Sequence, residues 1–226
     1  NNIKYLEKEK KQKFISKVYT IVWFQIILFS LFISLCKKNQ DISTFMLSSN
    51  GFGVLFILFN LLIILIVSTF CCFDLIRRSP YNWFYILIMT IIITYFFGFL
   101  SLGYSEQSLL LCGLSTFILF SGLTTYSFQT KVDYTTKGNI LLLSLLGLIM
   151  VGFFSQCLPS GIPFMHIIYP VIGSLIFSFY IIYDTQMILG KNKFNYEYDD
   201  YAIASINLYL DIINLFLFLL EFLNIR

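Results

Sequence analysis

Seven apolar segments, each about as long as a membrane-crossing helix, occupy most of this 226-residue sequence. A helix needs about 20 mostly apolar residues to cross the hydrocarbon core of a bilayer, because each residue adds only about 1.5 Å of length. The segments that meet this requirement are residues 18–36, 53–73, 83–102, 108–128, 139–158, 166–183 and 202–223. The sequence therefore predicts an all-α fold, with a bundle of seven transmembrane helices forming one domain over residues 18–226.

The composition excludes an ordinary soluble protein. Hydrophobic residues make up 58% of the chain and charged residues only 12%, whereas about a quarter of the residues of a soluble domain are charged. A well-packed globular domain still has a large surface that water must wet, and this chain has few polar side chains to cover one. We therefore expect the lipid bilayer to contact most of its surface, and we expect no nucleic-acid partner.

Basic residues concentrate on one side of the predicted helices. The segment 1–17, a basic N-terminal segment before the first predicted helix, contains six lysines. The connections on the same side contain six more basic residues, so that twelve of the fifteen lie there: Lys4, Lys8, Lys10, Lys11, Lys13, Lys17, Arg77, Arg78, Lys131, Lys137, Lys191 and Lys193. Because cytoplasmic loops carry an excess of lysine and arginine, we expect a cytoplasmic N terminus, with Lys37, Lys38 and Arg226 on the opposite side.

Two aspartates lie where a membrane helix should carry no charge. Asp184 directly follows the sixth apolar segment, and Asp211 lies in the middle of the seventh. A charge at the centre of a bilayer costs at least about 2.5–3.5 kcal/mol, so a buried acidic residue usually has a function. The alternative is that each aspartate is only a polar packing group or lies at the membrane interface.

The polar residues of the seventh segment share one helical face. Asn207, Asp211 and Asn214 are spaced i, i+4, i+7, which places all three on the same side of a helix. The sixth and seventh helices should be antiparallel neighbours, and Asp184 can meet Asp211 if the sixth helix continues to about Leu189. Two buried carboxylates that meet tend to share a proton. Such a pair is suited to sensing pH, to binding a divalent cation or to acid–base chemistry.

Five short motifs occur in order along the chain and together carry a family resemblance. They are residues 14–19 (FISKVY), 77–82 (RRSPYN), 126–135 (YSFQTKVDYT), 182–186 (IYDTQ) and 204–216 (ASINLYLDIINLF). This set resembles the Bax inhibitor-1 (transmembrane Bax inhibitor motif, TMBIM) family, and the third motif resembles its Lifeguard branch. The sequence ends at Arg226, so we expect no role that depends on the basic C-terminal tail of some family members.

The resemblance implies a fold and a site. It implies seven helices with two aspartates at their centre, at the positions of Asp184 and Asp211, and an arginine latch for which both Arg77 and Arg78 are candidates. It also implies a pH-sensitive calcium leak of an intracellular membrane, the endoplasmic reticulum or the Golgi, and suppression of cell death with membrane-protein partners in that pathway. Calcium is then a transported or bound ion held by Asp184 and Asp211, and no cofactor is expected.

The leading functional prediction is a calcium (cation) leak channel that is gated by protonation of Asp184 and Asp211. Asn207 and Asn214 would support the pair, and hard oxygen ligands of this kind suit calcium. A second hypothesis is a non-conducting membrane interaction protein that modulates partners in cell-death pathways.

A third hypothesis is an intramembrane aspartyl protease, because two aspartates on neighbouring helices suit acid–base hydrolysis. The sequence around the second aspartate argues against it. Asp211 follows Leu210 where such proteases have a G-x-G-D context, and no P-A-L element comes after it. The sequence also contains no phosphate-binding glycine loop, nucleophile elbow or H-E-x-x-H motif. We therefore predict no catalytic residues and no enzyme activity.

Overall fold

The computed structural model describes residues 2–71, 76–157, 165–190 and 196–223, and most of these residues are helical. The α-helices are α1 (Asn2–Lys38), α2 (Gln40–Leu47), α3 (Ser49–Cys71), α4 (Tyr81–Ser101), α5 (Glu106–Gln129), α6 (Gly138–Cys157), α7 (Met165–Leu189) and α8 (Tyr201–Leu223), and a short 3₁₀ helix covers Thr135–Lys137. No strand occurs within the described ranges. The predicted all-α fold is confirmed.

Seven of these helices, all except α2, are long and apolar enough to cross a membrane. Many of their large apolar side chains point outward: Phe56 on α3 is 71% exposed and Leu110 on α5 is 69% exposed. Large apolar side chains exposed on every long helix are unfavourable in water and favourable in lipid. The prediction of seven transmembrane helices is confirmed, and the chain is a multi-pass membrane protein.

Helix α1 is much longer than the predicted segment 18–36. It begins at Asn2 and passes residue 17 without a break, because neither proline nor glycine interrupts its sequence. Its buried stripe already begins at Phe14 and continues through Val18, Val22 and Phe29, with the spacing of one helical face. The predicted division into segment 1–17 and domain 18–226 stays a prediction, although the boundary between them lies within helix α1.

The short helix α2 lies in a stretch that was predicted to be a connection. Asn39 caps its first turn, because the Asn39 side-chain oxygen accepts a hydrogen bond of 2.9 Å from the Asp41 backbone N–H. Met46 is its buried residue. An eight-residue helix is too short to cross a bilayer, so the search for long apolar segments could not detect it.

Helix α7 continues past the predicted end at residue 183 and ends at Leu189. It ends there because Gly190 adopts a φ of 53°, a left-handed conformation that glycine adopts without steric cost and that commonly terminates helices. The Gly190 N–H donates to the Gln186 carbonyl over 3.1 Å. Pro170 lies inside the helix rather than at its start. Asp184 is consequently more than one turn inside the helix.

The chain divides into two compact units. The first comprises Asn1–Glu106 with Glu197–Ile206, and the second comprises Gln107–Tyr196 with Asn207–Arg226. In the first unit, the amide of Gln25 on α1 donates to the Thr90 hydroxyl of α4 over 2.8 Å, and both side chains are buried. The ammonium group of Lys17 lies 3.2 Å from the centre of the Tyr201 ring, an arrangement that a cation–π attraction favours.

Candidate functional site

The second unit brings Asp184 of α7 and Asp211 of α8 together. Both side chains are buried, with exposed fractions of 5% and 7%, and their carboxyl groups lie close enough to interact directly. The condition that α7 must reach Leu189 is met.

Tyr196, which lies between α7 and α8, contacts the end of α7. The Tyr196 N–H donates to the Met187 carbonyl over 3.3 Å. The Tyr196 hydroxyl in turn accepts a hydrogen bond of 2.9 Å from the Asn207 amide of α8. Tyr196 thus links the end of α7 to the polar face of α8 on which Asp211 lies.

The predicted polar face of α8 lines a cavity of about 570 Å³ in the second unit. Asn207, Asp211 and Asn214 all line it, and Asp184 does so from α7. Asn214 donates through its amide nitrogen to the Leu210 carbonyl over 2.8 Å. The Oδ2 atom of Asp211 is buried and has no hydrogen-bond partner among the described residues.

Four tyrosines that the sequence analysis did not identify also line this cavity: Tyr169, Tyr180, Tyr183 and Tyr196. Three of them belong to α7, and counting back from Asp184 in steps of four and three residues would have found Tyr180 and Phe177 on the same face. Tyr196 lies outside the helices and gave no such signal. Burial, and secondarily the nearby charge of Asp184, raises the pKa of the Tyr196 phenol well above its usual value. Its hydroxyl is therefore neutral at physiological pH.

Arg77 and Arg78, the two latch candidates, differ in their surroundings. The Arg77 guanidinium contacts Asp200 with two parallel hydrogen bonds, of 2.5 Å from Nε to Oδ1 and 2.9 Å from Nη2 to Oδ2. Its Nη2 atom also lies 3.1 Å from Oε2 of Glu197. Arg78 is exposed. All of these residues belong to the first unit, and a latch between either arginine and the aspartate pair stays a prediction.

Asp200 is a residue that the sequence analysis missed. It directly precedes α8, and its Oδ2 atom also accepts a hydrogen bond of 2.9 Å from the Glu197 backbone N–H. Two acidic residues, Asp199 and Asp200, immediately before a long apolar helix were the available signal, because carboxylates are favourable at helix N termini. Asp200 therefore joins Arg77 to the first turn of the helix that carries Asp211.

The oxygen ligands that line the cavity are fewer than a tightly bound calcium ion usually takes. Within the described ranges no group of three or more His, Cys, Asp or Glu side chains could hold a metal. Asp184 and Asp211 supply two carboxyl groups to the cavity, and Asn207 and Asn214 supply two amides. A tightly held calcium ion usually takes six to eight oxygen ligands, which is more than these four side chains supply with one oxygen each.

Comparisons with known proteins identify the family. The model described as "Inhibitor of apoptosis-promoting Bax1" matches residues 11–226. Protein lifeguard 3 is 23% identical in Mus musculus and 24% identical in Homo sapiens, in both cases over 222 residues that cover 97% of this chain and 71% of the relative. A BI1-like protein of Arabidopsis thaliana is 29% identical over 226 residues, covering 98% of this chain and 84% of the relative. Because the family match extends over nearly the whole sequence, the chain belongs to the Bax inhibitor-1 family.

Proposed function

We propose that this protein is a pH-sensitive leak pathway for calcium ions in an intracellular membrane, controlled by protonation of Asp184 and Asp211. Family membership implies a role in the regulation of cell death, and a calcium leak is the molecular activity proposed to underlie that role. The observation that carries the proposal is the adjacent, buried carboxyl pair that lines a cavity among membrane-spanning helices.

Competition between protons and calcium is the proposed mechanism of pH sensitivity. A pair that shares one proton carries one negative charge, and loss of that proton leaves two charges close together in a medium of low polarity. Two adjacent carboxylates repel each other strongly unless a cation lies between them. Calcium, a hard cation with a preference for oxygen ligands, compensates the repulsion, whereas acidification removes the charge that attracts it.

The orientation and the location belong to the same proposal. The bias of lysine and arginine supports a cytoplasmic N terminus, and an intracellular calcium store, the endoplasmic reticulum or the Golgi, is the proposed membrane. We propose Arg77 rather than Arg78 as the latch. The bidentate contact of Arg77 with Asp200 connects it to the start of α8, the helix that carries Asp211.

Calcium flux in proteoliposomes tests the proposal. Purified protein is reconstituted into liposomes that contain a calcium-sensitive dye, and the leak is measured at several pH values between about pH 5 and about pH 8, a range in which buried carboxyl pairs can exchange a proton. Asp211→Asn is expected to change the leak by about tenfold and to flatten its pH dependence, because the amide cannot ionise. Asp41→Asn, which alters an exposed acid on α2, is the matched control and should behave like the wild type.

The proposal is wrong if Asp211→Asn leaves both the leak and its pH dependence unchanged. A variant that has lost the leak but still protects cells from death would favour the non-conducting interaction protein instead. These two outcomes separate the channel activity from the cell-death role, which family membership supports independently.

A further inference from the structure

We propose that the cavity of the second unit is a binding site for a small organic cation with an alkylammonium or quaternary ammonium group. The tyrosine rings of the wall and the Asp184–Asp211 pair would recognise it together. The inference goes beyond the calcium leak, because it concerns a different ligand and does not require ion flux.

The wall of the cavity is unusually aromatic. Besides its four tyrosines it includes Phe177 and Phe218. The rings form a continuous row: Phe218 lies 5.6 Å from Tyr169 and 5.7 Å from Phe177, and Phe177 lies 5.9 Å from Tyr180, between ring centres. Aromatic rings attract cations through the negative potential of their faces, and cages of several rings bind quaternary ammonium groups in particular.

A glycine on each of two helices allows an aromatic side chain of this row to pack closely against the helix backbone. A Cβ atom at Gly173 of α7 would lie 2.4 Å from the Phe218 ring, and a Cβ atom at Gly152 of α6 would lie 2.5 Å from the Tyr169 hydroxyl. No larger residue fits at either position without displacing an aromatic side chain. The aromatic wall therefore depends on close packing on both helices and is a built feature of the second unit.

The acidic side chains of the cavity match a cation. Asp211 is more than nine-tenths buried, and its Oδ2 atom has no hydrogen-bond partner in the described part of the chain. The titratable groups facing it are Asp184 and the tyrosines, and no lysine, arginine or histidine is among the described residues that line the cavity. An acidic pair without an opposing positive side chain favours a positively charged ligand.

The size and polarity of the cavity distinguish an organic cation from a bare metal ion. A volume of about 570 Å³ falls within the range of about 300–1,000 Å³ that is typical of small-molecule sites. Apolar side chains such as Leu145, Leu148 and Met187 complete the wall. These groups suit the alkyl substituents of an ammonium ion, which is also less costly to dehydrate than a small divalent metal.

Binding of choline to the purified full chain tests this proposal. The matched probe is the uncharged tert-butyl analogue of choline, in which carbon replaces nitrogen and the shape is retained. Titration calorimetry in detergent is expected to show binding of choline and at least about tenfold weaker binding of the analogue, because only the charged group interacts with the rings and with Asp211. Equal affinity for the two probes, or binding of neither, would overturn the proposal.

Substitutions in the wall locate the site. Tyr180→Leu removes one ring and should weaken choline binding about fivefold, whereas Tyr180→Phe keeps the ring and should stay within about twofold of the wild type. Tyr81→Leu, which alters an exposed tyrosine of the first unit, is the control. Unchanged affinity in Tyr180→Leu contradicts the assignment, and if that variant does not fold, the comparison of the two probes on the wild type still decides.

The outcome is separable from that of the leak experiment. Choline binding without calcium flux would leave this site standing and remove the proposed channel. Calcium flux without choline binding would do the reverse.

Discussion

The carboxyl group of Asp184 on α7 lies next to the carboxyl group of Asp211 on α8, and both side chains are buried. Burying two like charges side by side is far costlier than burying one, so the two groups are expected to be energetically coupled. The stability of the second unit and the chemistry of its cavity therefore involve the same two side chains.

The first prediction concerns the energetic coupling of this pair. Asp184→Asn and Asp211→Asn each replace one partner by a neutral amide, and their effects on the free energy of unfolding should be non-additive by about 1 kcal/mol or more, as expected for residues that interact directly. Reversible unfolding in mixed detergent measures the two single variants and the double variant. Additive effects would show that the two side chains are not energetically coupled.

A matched pair of substitutions controls for distance. The control double variant combines Asp211→Asn with Asp41→Asn, which alters an exposed acidic residue of the first unit. Effects of independent sites usually add to within about 0.5 kcal/mol, so this combination should show no coupling.

The second prediction concerns the two neighbouring arginines. Arg77→Ala should lower the free energy of unfolding by about 1–3 kcal/mol, because it leaves the buried carboxylate of Asp200 without its bidentate partner. Arg78→Ala should change it by less than about 0.5 kcal/mol, since Arg78 is exposed. Arg77→Lys should fall between them, because a single ammonium group cannot reproduce the planar fork. The same unfolding assay compares all three, and equal losses for the two alanine variants would contradict the assignment.

The sequence predicts the long helices but not the residues at which they begin and end. Apolar runs reveal where a chain can cross a bilayer, which is why all seven long helices could be predicted. They do not reveal how far a helix extends into polar sequence. The start of α1 at Asn2 was therefore missed, and the continuation of α7 to Leu189 could be stated only as a condition, because it depends on the conformation of Gly190.

The site was predictable where a single helix carries it. The face formed by Asn207, Asp211 and Asn214 follows from helical spacing alone, and all three residues line one cavity. The partner of Arg77 did not follow, because Asp200 is distant from Arg77 in sequence and only the folded chain brings the two together. The contact of Tyr196 with Asn207 could not be predicted either, because Tyr196 lies outside the helices and helical spacing does not place it.

The third prediction concerns alkaline pH and Tyr196. The pKa of this phenol is raised in the folded protein, so the unfolded chain loses this proton first as the pH rises. The folded state therefore has its full stability below about pH 10, the ordinary tyrosine value, and loses stability as the pH increases toward the raised pKa. Tyr196→Phe should show a smaller fall of the melting temperature above about pH 10, and Tyr81→Phe, at an exposed position, should fall as the wild type does. If the melting temperature of Tyr196→Phe falls as much as that of the wild type above about pH 10, the burial of this hydroxyl is contradicted.

The fourth prediction compares two glycines in membrane-spanning helices. Gly173→Ala places a methyl group where the Phe218 ring lies, only 2.4 Å away, and should lower the free energy of unfolding by about 1–3 kcal/mol. Gly147→Ala on α6 meets nothing within 4 Å and should be neutral or stabilising by up to about 1 kcal/mol, because alanine favours a helix more than glycine does. Unfolding in mixed detergent gives both values. Since Phe218 belongs to the aromatic wall, Gly173→Ala should also weaken choline binding while Gly147→Ala preserves it. A loss of stability of equal size in the two variants would show that the close packing of α7 against Phe218 does not contribute to the fold.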